Sequence, residues 1–75
     1  MMNIRQAKLR FTELTGYKAT RLNFYCALTD KGIAVQQWVD WRWSQGLGAP
    51  QAKDYRATHQ WVSIVNFFET LREVA

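Results

Sequence analysis

The sequence contains one cysteine, one proline and one histidine. Because Cys26 has no second cysteine to pair with, an internal disulfide is excluded, and with it a disulfide-stabilised miniprotein. No apolar run approaches the roughly 20 residues of a membrane-spanning helix. Asn3, Arg5 and other polar residues interrupt the beginning of the chain, which argues against a signal peptide. We therefore expect a cytoplasmic protein that does not enter a membrane.

Residues that carry catalysis are equally scarce. No cysteine or carboxylate lies at metal-ligand spacing from His59, the only histidine. Cys26 and His59 are the one candidate pair of nucleophile and base, and a lone thiol of this kind is more often a buried, inert side chain. Neither serine lies in a nucleophile-elbow motif, and no glycine-rich loop has the sequence of a phosphate-binding loop. We predict that the protein is not an enzyme and binds no cofactor or metal.

Aromatic and hydrophobic residues, by contrast, are abundant. They make up 15% and 48% of the 75 residues, respectively. This composition is typical of a folded domain, and the length suffices for a single small domain over residues 1–75. Because so small a core cannot enclose that many large side chains, we expect some of them to lie in an interface, such as that of a homodimer.

The net charge of +4 is concentrated in the first half of the chain. Only Glu13 and Asp30 oppose the basic residues that precede Gly32, whereas the charges beyond it are balanced. A basic surface attracts phosphate backbones, although it is also common on ordinary solvated surfaces. The residues predicted to contact DNA phosphates are Arg5, Lys8, Arg10, Lys18, Arg21 and Lys31.

Apolar residues at helical spacing predict a helix near each end of the chain. The first stripe, within residues 3–14, comprises Ile4, Ala7, Phe11 and Leu14. The second stripe comprises Ala57, Trp61, Ile64, Phe68 and Leu71. Gly16 is expected to end the first helix, and residues 44–50, which include two glycines and a proline, are expected to form a loop. The large aromatic residues predicted to lie in the core are Phe11, Phe24, Trp61, Phe67 and Phe68.

Two structures are compatible with residues 20–43. Leu22, Phe24, Cys26 and Leu28 alternate with other residues as in a strand, and a hairpin would then turn at residues 29–32. Two helices separated by Gly32 are the other interpretation, which we favour. It gives a mainly α fold, a small helical bundle with a helix-turn-helix-like core. The alternative is a mixed α+β arrangement of helix, β-hairpin and helix.

On the helical interpretation, residues 11–50 resemble the helix-turn-helix of small Cro-like phage repressors. The matching residues are Gly32 at the turn, the apolar Ile33 after it, and Trp41 nine residues beyond the glycine, followed by a segment rich in glycine and proline. Lys31 departs from the family, which usually has an apolar residue before the turn glycine. The resemblance implies a DNA-binding regulator of phage or mobile-element type that binds duplex DNA as a dimer.

The resemblance also implies a recognition helix over residues 34–43, with Trp38 and Trp41 facing the core. Its groove-facing side chains would include Gln36 and Gln37, either of which can contact adenine through two hydrogen bonds. Val35 would touch thymine methyl groups. Asp40 would repel phosphates, so this helix is poorly suited to reading bases.

A helical wheel of residues 33–44 shows two apolar flanks beside a narrow polar stripe. A surface helix normally needs only one apolar face, so the second flank is predicted to meet a partner. That flank comprises Val35, Val39 and Trp43, with Trp43 as the anchor, since aromatic residues dominate binding hot spots. A core position for Trp43 beneath the following loop is the alternative. The second functional hypothesis is therefore a small protein-binding module or inhibitor, of the kind that phages encode, which docks on a larger host protein.

Overall fold

The computed structural model describes residues 2–74, which form four α-helices and one short 3-10 helix. The α-helices are α1 (Ile4–Thr15), α2 (Arg21–Asp30), α3 (Val35–Ser44) and α4 (Thr58–Val74), and the 3-10 helix spans Ala52–Arg56. No strand forms among residues 2–74. The predicted mainly α fold is confirmed, and the hairpin alternative for residues 20–43 is wrong.

Local hydrogen bonds explain where the first two helices begin. The Asn3 side chain accepts the N–H of Gln6, and the Gln6 side chain accepts the N–H of Asn3, both at 2.9 Å. This reciprocal pair satisfies two of the N–H groups that the start of α1 leaves without helical partners. Thr20 caps α2 in a similar way, because its hydroxyl oxygen accepts the N–H of Asn23 at 3.0 Å.

Glycines with positive φ end α1 and close the turn between α2 and α3. Gly16 has a φ of 78°, so the predicted stop after α1 is confirmed. α2 ends at Asp30, two residues before Gly32. The N–H of Ile33 then donates to the carbonyl of Leu28 at 2.7 Å, across Gly32 with its φ of 69°. Gly32 is therefore the turn glycine, in a left-handed conformation that other residues rarely adopt.

The core is built from aromatic rings contributed by all four α-helices. Phe11 of α1 packs edge-on against Trp61 of α4, with ring centroids 5.4 Å apart. Trp38 of α3 packs in the same manner against Phe24 of α2 at 5.1 Å and against Phe67 of α4 at 5.3 Å. Edge-to-face contacts of this kind stabilise a core beyond the burial of apolar area. The predicted core positions Phe11, Phe24, Trp61, Phe67 and Phe68 are all buried.

Helices α1 and α4 lie side by side and run in the same direction. Lys8 lies over the ring of Trp61 near the start of α4, and Arg10 forms an ion pair with Glu69 further along it. Because the two helices are parallel, the chain between them has to return from the end of α1 to the level at which α1 begins. α2, α3 and the segment after α3 make this return. No helix within residues 2–74 combines the length and the apolar character needed to cross a membrane.

The connection from α3 to α4 holds a short helix that the sequence did not predict. Residues 45–51 form the expected loop, but Ala52–Arg56 then makes a turn of 3-10 helix that buries Tyr55. The indole N–H of Trp61 donates to the carbonyl of Tyr55 at 2.7 Å. This bond attaches the connection to the first turn of α4.

Candidate nucleic-acid interface

Three of the basic residues predicted to contact phosphates converge on one surface groove between α1 and the linker that precedes α2. The groove, here called the basic groove, is lined by Ile4, Arg5, Lys8, Leu9, Thr12, Lys18 and Ala19. Helical geometry explains the convergence within α1, because residues 5, 8, 9 and 12 are spaced so that they share one face. Lys18 approaches the same face from the linker.

The linker that carries Lys18 is held to α2 by hydrogen bonds. The carbonyl of Lys18 accepts the N–H of Thr20 at 2.9 Å and the side-chain amide of Asn23 at 3.0 Å. The hydroxyl of Tyr17 also bonds to the carboxylate of Asp30, at the end of α2. These contacts fix the backbone that positions Lys18 over α1.

Lys8 is the most constrained cation of the basic groove. Its side chain is half-buried, and its ammonium group lies 5.7 Å from the centroid of the Trp61 ring. The negative face of an aromatic ring attracts a cation at this distance. Arg5 and Lys18 are exposed, so the groove combines one half-buried charge with two exposed ones.

Arg10 lies on α1 with Arg5 and Lys8 but has a different environment. Its guanidinium lies 2.6 Å from the Glu69 carboxylate and 3.2 Å from that of Glu13. The hydrogen bond that Arg10 donates to Glu69, and next the one that it donates to Glu13, raises the pKa of Arg10 above its ordinary value. Two carboxylates therefore neutralise the cation that the sequence assigned to phosphate contact.

The remaining predicted phosphate contacts lie away from the basic groove. Arg21 is exposed at the start of α2 and does not line the groove. Lys31 lines a separate depression with Glu13 and Arg72, near the carboxyl ends of α1 and α4. Of the six predicted cations, three thus cluster in the basic groove and the other three lie apart from it.

The exposed side of α3, here called the α3 surface, contains the residues predicted to meet either DNA bases or a protein partner. Its exposed members are Val35, Gln36, Gln37, Asp40 and Trp43. The amide of Gln36 donates to the carboxylate of Asp40 at 2.7 Å. Trp43 is 63% exposed and Val35 48%, so the alternative that placed Trp43 in the core is wrong.

Other predicted positions on α3 face inward. Trp38 is fully buried, and Trp41 is half-buried and stacks on it with ring centroids 5.7 Å apart. Both tryptophans therefore face the core, as predicted. Val39, which was assigned to the partner-binding flank, is partly buried against the core and offers less of its side chain than Val35 or Trp43.

Arg42 is a buried residue whose role the sequence did not indicate. Only 3% of it is exposed, and its Nε donates to the carbonyl of Gly48 at 3.0 Å. Its Nη1 donates to the side-chain oxygens of Gln60 and Ser63, and its Nη2 donates to the carbonyl of Leu47 at 3.4 Å. Its guanidinium carbon lies 5.5 Å from the Trp38 ring centroid. One signal was present, since position 42 follows the buried Trp38 by one helical turn and shares its face. Arg42 thus holds the loop after α3 in place and is not part of the α3 surface.

The residues considered for catalysis lie in unremarkable surroundings. His59 is exposed, with Nε2 3.9 Å from a carboxylate oxygen of Asp54. Cys26 is half-buried on α2. Within residues 2–74, no three potential metal ligands come together.

Comparison with known proteins adds no family to this description. The chain matches no protein-family model, no curated protein and no solved structure. The resemblance to Cro-like repressors therefore stays a prediction. Any function has to be argued from the basic groove and the α3 surface.

Proposed function

We propose that the protein is a small DNA-binding regulator of phage or mobile-element type that binds duplex DNA as a dimer in the cytoplasm. The observation that carries the proposal is the convergence of Arg5, Lys8 and Lys18 on the basic groove. Among residues 2–74 none of the three forms an ion pair with a carboxylate, so their charges are available to phosphates. Neutralising phosphates releases condensed counterions, which supplies most of the affinity of non-specific DNA binding.

The α3 surface supports this proposal less strongly than the basic groove does. Gln36 and Gln37 are exposed, as contact with base edges requires. Gln36, however, would have to break its hydrogen bond to Asp40 before it could bond to a base. The only arginine of α3 is buried, so the helix has no exposed cation to anchor it on the backbone. Val35 and Trp43 supply apolar surface for the proposed dimer instead.

This function is tested by fluorescence polarisation with a random-sequence duplex at two salt concentrations. The free protein is sized in parallel. The key comparison is between Arg5→Gln/Lys8→Gln/Lys18→Gln and the charge-matched Lys53→Gln/Arg56→Gln/Arg72→Gln. At low salt we expect the groove variant to lose roughly tenfold or more in affinity for DNA. The charge-matched variant should lose much less. Equal losses would show that only net charge matters. Absence of DNA binding by the unaltered protein would refute the proposal.

A second function is favoured by the exposure of Trp43. A tryptophan that is 63% exposed, two helical turns from an exposed Val35, is the kind of anchor that a larger protein partner buries. In this case the protein is a binding module or inhibitor of a host protein, of the kind that phages encode. Trp43→Ala should then weaken binding to the purified partner by about 2 kcal/mol or more, while Gln37→Ala changes it little. Equal binding by both variants would exclude the α3 surface as the docking site.

A further inference from the structure

We infer that the basic groove holds the sugar–phosphate ridge of one nucleic-acid strand and therefore binds DNA independently of its sequence. The inference rests on the proposed DNA-binding function and identifies which part of the DNA is recognised.

The lining of the groove matches the chemistry of a sugar–phosphate backbone. Arg5, Lys8 and Lys18 supply positive charge for the phosphates. Three apolar residues share the lining with these cations: Ile4, Ala19 and Leu9, which is 57% exposed. Deoxyribose presents C–H groups between successive phosphates, so a lining that combines cations with apolar side chains complements both parts of the ridge.

The same lining has few groups able to distinguish one base from another. No asparagine or glutamine, the side chains that pair with adenine, is among the lining residues. The hydroxyl of Thr12 donates to the carbonyl of Lys8 at 3.1 Å, within α1, and is not directed at a ligand. Of the three cations, Arg5 has the planar guanidinium that can pair with guanine through two hydrogen bonds, whereas the two lysines act mainly as point charges toward phosphates.

The α3 surface does not supply the missing specificity. No residue of α3 lines the basic groove. The exposed carboxylate of Asp40 would lie close to any backbone that α3 approached, and the one guanidinium of the helix is held beneath the loop by Gly48 and Gln60. A duplex bound at the groove therefore gains its affinity from the sugar–phosphate backbone rather than from contacts that α3 makes to bases.

The small number of cations in the groove favours a nucleic acid over an anionic membrane. Stable adsorption to lipid requires a broad apolar face together with a larger set of cations than the three found in the groove.

The test measures the salt dependence of binding for two duplexes of equal length, one rich in A·T and one rich in G·C. We expect affinities within about twofold of each other. Expressed per protomer bound, the slope of log K against log salt should be about −2.7, as for three phosphates. Each of Arg5→Gln, Lys8→Gln and Lys18→Gln should flatten this per-protomer slope by about 0.9, whereas Lys53→Gln should leave it unchanged. Thermal unfolding of each variant confirms that the fold is retained.

Three outcomes would overturn the inference. If one duplex binds more than tenfold tighter and Gln36→Ala/Gln37→Ala removes the difference, the protein binds DNA but reads bases through α3. If the groove variants bind DNA normally but lose binding to vesicles that contain anionic lipid, the groove is a membrane-contact surface. If neither duplex binds at any salt concentration, the proposed function fails together with the inference.

Discussion

The guanidinium of Arg42 lies beneath the loop after α3 and donates from Nε to the carbonyl of Gly48 at 3.0 Å. No carboxylate lies within ion-pairing distance of it among residues 2–74. Its other partners are the uncharged oxygens of Gln60, Ser63 and Leu47, and its guanidinium carbon lies 5.5 Å from the centroid of the Trp38 ring. A buried cation satisfied by neutral acceptors is costly to disturb, because removing it leaves several buried acceptors without donors.

We predict that Arg42→Met destabilises the fold by about 2 kcal/mol or more, because the apolar stem is kept while the hydrogen bonds are lost. The loop around Gly48 should also become sensitive to limited proteolysis. Arg72→Met, which removes an exposed arginine from α4, should change stability by less than about 0.5 kcal/mol. Urea unfolding of both variants measures the contrast. Similar losses in the two would show that the Arg42 contacts contribute nothing beyond charge.

Tyr55 gives a prediction about alkaline stability. Its hydroxyl is buried without a hydrogen-bond partner among the described residues, and desolvation is the main cause that raises the pKa of the phenol. Since the phenol loses its proton more readily when unfolded, stability is fully present below about pH 10 and falls above it. The steepest loss that one group can cause is about 1.4 kcal/mol per pH unit.

Tyr55→Phe removes both the unsatisfied hydroxyl and the titration. We expect the variant to be as stable as the original or more stable by about 1 kcal/mol at pH 7. It should also lose less stability between pH 10 and 11. Thermal unfolding across this range measures both effects. A destabilised variant at neutral pH would indicate that the hydroxyl has a partner, such as a buried water.

The parts of the fold that depend on local pattern could be predicted from the sequence. The apolar stripes of α1 and α4, the stop at Gly16 and the turn at Gly32 follow from spacing and backbone chemistry within a few residues. The strand-like alternation in α2 was ambiguous for a physical reason. Leu22 is 72% exposed, whereas Phe24 and Leu28, one helical turn apart, are buried. The exposure of Leu22 and the burial of Ala27 next to Leu28 are what separate the helical from the strand period.

The parts that depend on distant contacts could not be predicted. Arg10 was taken as a phosphate contact because its partner Glu69 lies 59 residues away in the sequence. The burial of Arg42 depends likewise on loop carbonyls and on Gln60, which a single helix does not reveal. The position of Lys18 beside Arg5 and Lys8 could not be predicted either, because it depends on the path of the linker between α1 and α2.

Gly32 tests the turn between α2 and α3. Its φ of 69° is unfavourable for other residues, but an added Cβ would meet no atom within 4 Å. We therefore expect Gly32→Ala to cost about 1 kcal/mol through backbone conformation alone, and Gly32→Asn to cost less, since asparagine tolerates this region. Chemical denaturation provides the measurement. Equal stability of all three proteins would mean that the turn adopts a different conformation in solution.

Trp38 and Trp43 form a matched pair on one helix with opposite surroundings. Trp38 is fully buried among Phe24, Trp41 and Phe67, whereas Trp43 is 63% exposed. Truncation of a buried aromatic costs about 3–5 kcal/mol, which is enough to unfold many domains of this size. Trp38→Ala should therefore lose the helical circular-dichroism signal or melt far earlier, and Trp43→Ala should stay folded within about 1 kcal/mol of the original.

The folded Trp43→Ala protein then separates the two functional proposals. If it self-associates less but keeps its DNA affinity per monomer, Trp43 belongs to a dimer interface. If its oligomeric state and DNA binding are unchanged, Trp43 belongs to neither a dimer interface nor a DNA interface, and it remains available as an anchor for a different protein. Destabilisation of Trp43→Ala comparable to that of Trp38→Ala would contradict the exposed position of Trp43 on which both proposals depend.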